Sequence, residues 1–303
     1  MTEDCRFPER LPMRDLIVAL IDPNIVFLRY AFLIGLMASV AFGVIGSLVV
    51  ARRISYIAGS ISHSVLGGLG IALYVQRAIG ISWFHPLLGA VLAALLSALI
   101  IGLVSLYARQ REDTVIGAIW SIGMAIGLLF LAKTPGYVDP MSYLFGNILL
   151  ISKHDLILVL LLDIVIVLTV AIFYNRILAV CFDDEFARLR GIRVEIYYLL
   201  MLCLVALTIV LLVTVVGIVL VIAMLTLPPA IAGQFSRKLS HMMMLSIMIC
   251  ALFTLSGLSA SYHLDLPGGP IIITMLGAAY LVILGLMHYR RGFRALRNQW
   301  TRK

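Results

Sequence analysis

Between residues 25 and 289 the chain consists of apolar runs, each about as long as a bilayer is thick, joined by short polar connections. A hydrocarbon core of about 30 Å takes roughly 20 residues of α-helix to cross. Inside it every backbone N–H and C=O must be satisfied by the chain itself, which leaves helices or closed barrels. Barrel strands alternate apolar and polar residues, whereas these runs are apolar on both faces. The expected fold class is therefore all-α, a polytopic transmembrane helix bundle of about 8–9 spans. Composition agrees, since 62% of the 303 residues are hydrophobic and 13% charged, against about a quarter charged in a soluble domain. The spans read as 25–50, 57–78, 86–107, 114–132, 156–174, 195–213, 216–233, 242–262 and 270–289. The stretch 195–233 is one apolar run, either two spans or one span plus a re-entrant piece broken around Gly217 and Pro228-Pro229. The membrane domain, 25–289, is flanked by an N-terminal tail, 1–24, with room for an interfacial helix, and by a basic C-terminal tail, 290–303.

A net charge of +8 would suggest nucleic acid in a soluble protein, but here the basic residues sit between apolar runs and report orientation instead. With nine spans, the connections after odd-numbered spans and the C-terminal tail hold 16 of the 23 Lys and Arg residues. The positive-inside rule puts those connections and the C-terminus in the cytoplasm. The partner implied is the lipid bilayer, with no nucleic acid. Cys5, Cys181, Cys203 and Cys250 have no close spacing, so neither a disulfide framework nor a zinc knuckle is indicated. No cleavable signal peptide is expected, because residues 1–24 are of mixed charge and carry Pro8, Pro12 and Pro23. The connection 133–155 is rich in turn formers and has room for a short interfacial helix.

Three stretches carry the chemistry. "GLLFLAKT", 127–134, imitates a phosphate-binding loop, but Ala132 stands where its second glycine belongs and the match lies inside an apolar span. The chain thus carries no nucleotide site of its own, and any ATP hydrolysis belongs to a separate subunit. "DDEFARLRGIRVE", 183–195, places acids before bases, as a short helix favours, with Gly191 to end it. It reads either as a solvated connecting helix or as a docking helix, with Phe186 and Leu189 as apolar contacts. "SISHSVLGGLG", 60–70, puts His63 among Ser60, Ser62 and Ser64 and follows it with Gly67, Gly68 and Gly70. Small residues let membrane helices approach closely. A neutral imidazole is either a packing group satisfied by a serine or carbonyl, or a metal ligand beside a permeation path.

Weaker signals are Asp163, an acid in "LLLDIVIV" with no partner evident in sequence, and the pair His263 and Asp265 in "SYHLDLPGGP". That pair reads as a solvated turn or as a transient cation contact at the outer mouth. There is no HExxH for a membrane zinc protease, and no spacing supports a dyad of Ser256 or Ser261 with His63 or His263.

Taken in order, "ARRISYIAGSISHSVLGGLGIAL", "EFARLRGIRV", "TVVGIVLVIAMLTLPPAIAG" and "SASYHLDLPGGPIIIT" resemble the permease subunit of bacterial zinc, manganese or iron(II) ATP-binding-cassette importers, the ABC-3 metal permease family, over about 25–288. The resemblance implies a non-enzymatic translocating subunit of the bacterial cytoplasmic (inner) membrane. Its fold would be similar to that of cobalamin and siderophore importer permeases. The partners implied are cytoplasmic ABC ATPase subunits, a second permease copy or a paralogue, and an extracytoplasmic metal-binding protein. No cofactor is held permanently, the divalent metal (Mn, Zn or Fe) being cargo. Residues 183–192 become the coupling helix on the ATPase, through Asp184, Glu185, Phe186, Ala187, Leu189 and Gly191. His63 becomes a contact on the translocation path, with His263 and Asp265 at the outer mouth. The pattern departs at Gly59, where the family commonly has an aspartate one helical turn before the histidine. The alternatives are a permease for a chelated metal, such as a siderophore or cobalamin, and an intramembrane hydrolase.

Overall fold

The computed structural model describes residues 26–81, 83–107, 112–136, 144–146 and 152–300, with side chains from Arg29 to Tyr289. The N-terminal tail and most of the 133–155 connection, with the interfacial helices expected there, lie outside the described residues. Among the described residues ten α-helices follow one another: α1 Val26–Ala51, α2 Ser55–Tyr74, α3 Pro86–Tyr107, α4 Glu112–Lys133, α5 Lys153–Phe182, α6 Asp184–Leu189, α7 Val194–Val216, α8 Ile218–Phe235, α9 Leu239–Leu264 and α10 Gly268–Trp300. A π-helical turn, Val75–Ile79, prolongs α2. There is no strand among the described residues, and nine helices, all but α6, are long and apolar enough to cross a membrane.

Helix directions follow from which residues meet. Gly35 of α1 lies against Thr254 and Leu258, and Gly43 against Ile247, so α1 and α9 are antiparallel. Gly102 of α3 meets Leu199 and Leu202 of α7, and Arg52, just past α1, reaches Val180 and Asp184. These contacts define a basic end of the bundle. At the opposite end Gly217 packs backbone to backbone on Gly146, and Phe145 lies beside Gly269. The run 195–233 is consequently two antiparallel helices, α7 rising from the basic end and α8 returning. Gly217 alone joins them, at φ +85° and ψ 158°, a backbone shape that only glycine adopts without strain.

Helix α8 holds Pro228 and Pro229 in its interior. Each proline lacks an N–H and so frees the carbonyl four residues back, a cost that lipid cannot relieve. Neighbouring helices do so instead. The Cys250 thiol of α9 donates to the Met224 carbonyl at 3.9 Å. Gly46 of α1 presses its bare Cα so near Leu225 that a Cβ there would stand 2.6 Å from the oxygen. Both contacts are of the weak class that tolerates close packing.

Helix α5 runs on to Phe182, past the expected end at residue 174, and carries Arg176 with it. The Arg176 guanidinium lies over the Tyr197 ring, 5.7 Å from its centre, and donates to the Tyr197 hydroxyl. A charged side chain that snorkels along a neighbour does not end a membrane helix. At its start, Ser152 and Asp155 form a reciprocal capping box.

Candidate functional site

Helix α2 is almost wholly enclosed, and its small residues explain how. A Cβ at Gly68 would stand 2.1 Å from the Gly89 carbonyl of α3. Gly67 faces Gly123, and Gly70 faces Gly127, both on α4, at 2.8 and 2.5 Å by the same measure. The three glycines therefore let two helices close on α2 from different sides.

His63 is half-buried on the α4 side. Its three serine neighbours are all committed elsewhere. Ser60 donates to the Ile116 carbonyl of α4 at 2.8 Å, Ser62 to Ala58 and Ser64 to Ile61. None reaches the imidazole, and His63 Nδ1 is buried without a hydrogen-bond partner in the described chain. The ring instead stacks on Trp120, centroids 4.4 Å apart and planes 15° from parallel. Gly59, one turn earlier, lies under the same indole, with its absent Cβ 3.4 Å from Trp120 Cζ3. An aromatic ring thus lies against the position of the expected carboxylate.

At the basic end, Asp183 caps α6 by accepting from the Phe186 N–H at 3.0 Å. Gly191, at φ +74°, closes it, with its N–H on the Arg188 carbonyl and the Ile192 N–H on Ala187. The six positions inferred from sequence divide by direction. Ala187 is fully buried against Val180 and Val194, and Asp184 is turned inward onto Arg52 at 2.6 Å. Phe186 (47% exposed), Leu189 (87% exposed), Glu185 and Gly191 face outward. The Arg190 guanidinium covers the Phe186 ring at 4.8 Å, and Arg188 pairs with Glu195 at 2.9 Å.

The other candidates separate. Asp163 is buried on α5 at 7% exposure, with Oδ1 unpartnered and its carboxyl beside the Ala41 backbone of α1. His263 and Asp265 are exposed at the end of α9, far along the chain axis from the α6 end, and Asp265 takes the left-handed cap position at φ 53°. Residues 127–133 of "GLLFLAKT" are helical within α4, so no phosphate-binding turn exists there. The Ser256 and Ser261 hydroxyls donate to the Phe253 and Leu266 carbonyls, not to a histidine. Among the described residues no three His, Cys, Asp or Glu side chains group closely enough to hold a metal ion. Two residues matter that sequence reading did not single out. Trp120 is an unremarked aromatic in an apolar run, and Arg52 reads in sequence as a topology charge and as one of the paired basic residues of the family resemblance, with no contact assigned to it.

A nine-span bundle with an enclosed polar helix and one short helix held at its basic end has the form of a transport permease. The chain belongs to the ABC 3 transport family, whose model matches residues 24–287. It is 42% identical over 275 residues to a "Probable metal transport system membrane protein" of Chlamydia trachomatis, covering 90% of this chain and 92% of that protein. It is 33% identical to the "Manganese transport system membrane protein MntC" of Listeria innocua, covering 84% and 89% respectively. Among solved structures, PsaBC from Streptococcus pneumoniae in complex with Fab superposes with a TM-score of 0.78 at 27% identity, over 89% of this chain and 94% of that one.

Proposed function

We propose that this chain is the membrane-spanning subunit of an ATP-driven importer for a divalent transition metal ion: manganese, zinc or iron(II). The single observation that carries the reading is His63 Nδ1, a buried ring nitrogen without a hydrogen-bond partner inside a helix long and apolar enough to cross a membrane, in a chain whose relatives are named for metal and manganese transport. A buried polar atom without a partner is costly to keep, and a site for passing cargo explains its retention. Neutral imidazole suits Zn²⁺ and Fe²⁺ and binds the oxygen-preferring Mn²⁺ more weakly, so one such ligand gives contact without tight capture. An extracytoplasmic binding protein delivers the ion, two permease subunits enclose the path, and the C-terminus and basic end face the cytoplasm. ATP is hydrolysed on separate ATPase subunits seated on α6, whose outward Phe186 and Leu189 supply the apolar contact. His263 and Asp265 lie at the outer mouth and meet the ion only transiently.

The test is uptake of radiolabelled Mn²⁺, Zn²⁺ and Fe²⁺ in cells that depend on this transporter, with His63→Ala compared at equal membrane expression. Uptake is expected to fall to a small fraction. Unchanged uptake of all three ions would return His63 to a packing role, and import of a chelate alone would point to the chelated-metal alternative.

A further inference from the structure

Arg52 stands one residue beyond α1, and its guanidinium reaches three other elements. Nη1 donates to the Val180 carbonyl in the last turn of α5 at 2.8 Å. Nη2 donates to Asp184 Oδ2 in the first turn of α6 at 2.6 Å. The flat face lies 5.5 Å from the centre of the Tyr198 ring of α7. A planar fork that binds a carbonyl and a carboxylate while stacking on an aromatic ring is something arginine does and lysine does not. The chain of contacts continues. The Tyr198 hydroxyl donates to Ser105 Oγ of α3 at 3.2 Å, and Ser105 Oγ donates to Glu112 Oε1 at the start of α4 at 2.9 Å. One line of polar contacts therefore joins α6, α5, α1, α7, α3 and α4, and α4 is the helix whose Trp120 covers His63.

We propose that Arg52 is the positioning residue through which α6 acts on the bundle: it fixes α6 to the ends of α1 and α5, and Tyr198 and Ser105 extend that hold to Glu112 on α4. The proposal rests on the reading of α6 as the ATPase seat. A six-residue helix between two short turns has little to hold it in register. Only Ala187 is fully buried, in a cluster with Val180 and Val194. Without Arg52, force applied at Phe186 and Leu189 would bend the turns at Asp183 and Gly191 instead of moving helices. With it, α6 and α1 move together.

Two measurements test this. The first is hydrogen–deuterium exchange of amides 183–193 in the full chain alone, in nanodiscs, and it needs no partner. Arg52→Ala should speed exchange by about five-fold, a figure discounted for the partly exposed ion pair. Arg52→Lys should lie between, and Tyr198→Phe should match wild type. The second is the number of ATP molecules hydrolysed per metal ion imported by the complete transporter in proteoliposomes. Arg52→Ala should raise that ratio by about five-fold or more, the lower end of typical coupling between sites, and Tyr198→Phe should raise it without loosening α6. A variant that merely folds poorly would lower hydrolysis and import together and leave the ratio unchanged. Unchanged exchange in Arg52→Ala overturns the clamp, and faster exchange with an unchanged ratio overturns its role in transmission. If the wild-type chain copurifies with no ATPase, the reading of α6 as the seat fails, while the exchange result still decides the clamp.

Discussion

Gly68→Ala gives the sharpest test of how α2 is enclosed. The added methyl would stand 2.1 Å from the Gly89 carbonyl oxygen and 2.6 Å from Ala93 Cβ, where ordinary contact begins at 3.4 Å. The shortfall against the oxygen is about 1.3 Å, and the obstacle is backbone, which has no rotamer to escape into. Helices α2 and α3 must separate along that contact and lose their interlocked packing. Overpacking of this kind costs roughly 1–3 kcal/mol, and a rigid obstacle places this case near 3. At roughly 2–4 °C per kcal/mol, the melting temperature in detergent should fall by about 6–12 °C, read by fluorescence-detected size exclusion after heating. Gly117→Ala is the internal control. It adds the same methyl to α4 where nothing lies within 4 Å, so the gain in helix propensity, up to about 1 kcal/mol, should leave stability equal or slightly higher. If Gly68→Ala melts with Gly117→Ala, the close approach of α2 and α3 is wrong.

Gly59→Asp should destabilise the chain because it buries a carboxyl against the indole of Trp120, and adding Trp120→Ala should recover part of the loss; additive effects in that double-mutant cycle would refute the contact. Cys250→Ala removes the donor to the Met224 carbonyl and should cost about 1 kcal/mol, whereas Cys250→Ser should retain the wild-type melting temperature; equal losses would mean that the thiol donates nothing. Phe186→Ala with Leu189→Ala should abolish copurification of an ATPase while leaving the melting temperature of the isolated chain within about 2 °C, since both side chains point outward. Normal copurification and transport in that variant would remove α6 as the docking element.

The membrane architecture was legible because lipid leaves the backbone so few options. Span positions read from hydropathy alone fall within a few residues of the helices except at α10, which runs on to Trp300 past the expected end at 289, and at α5. There the reading failed because it treated Arg176 as the end of a span, while the side chain lies along Tyr197 and the helix continues. The choice over 195–233 was open in sequence because a single glycine makes the corner, and hydropathy does not register one residue. The short helix 184–189 was readable from its charges and from Gly191, but which of its faces turns inward was not. That depends on Arg52, 132 positions away from Asp184 in the chain. His63 was visible as a polar residue in an apolar run. Its partner Trp120 was not, because an aromatic residue inside a membrane span has many uses and only tertiary packing selects one.

The two prolines of α8 have a mechanical consequence. Their freed carbonyls are answered by two neighbouring helices, through the Cys250 thiol on α9 and the bare Cα of Gly46 on α1. Sliding α8 away from either neighbour would strip a carbonyl of its contact, at a cost of about 1 kcal/mol. Helices α1, α8 and α9 are thereby tied to one another, so that motion given to α1 is shared by α8 and α9. Helices α2 and α4 are tied differently: beside their glycine contacts the Ser60 hydroxyl crosses to the Ile116 carbonyl, so any slip of α4 along α2 must first break that hydrogen bond.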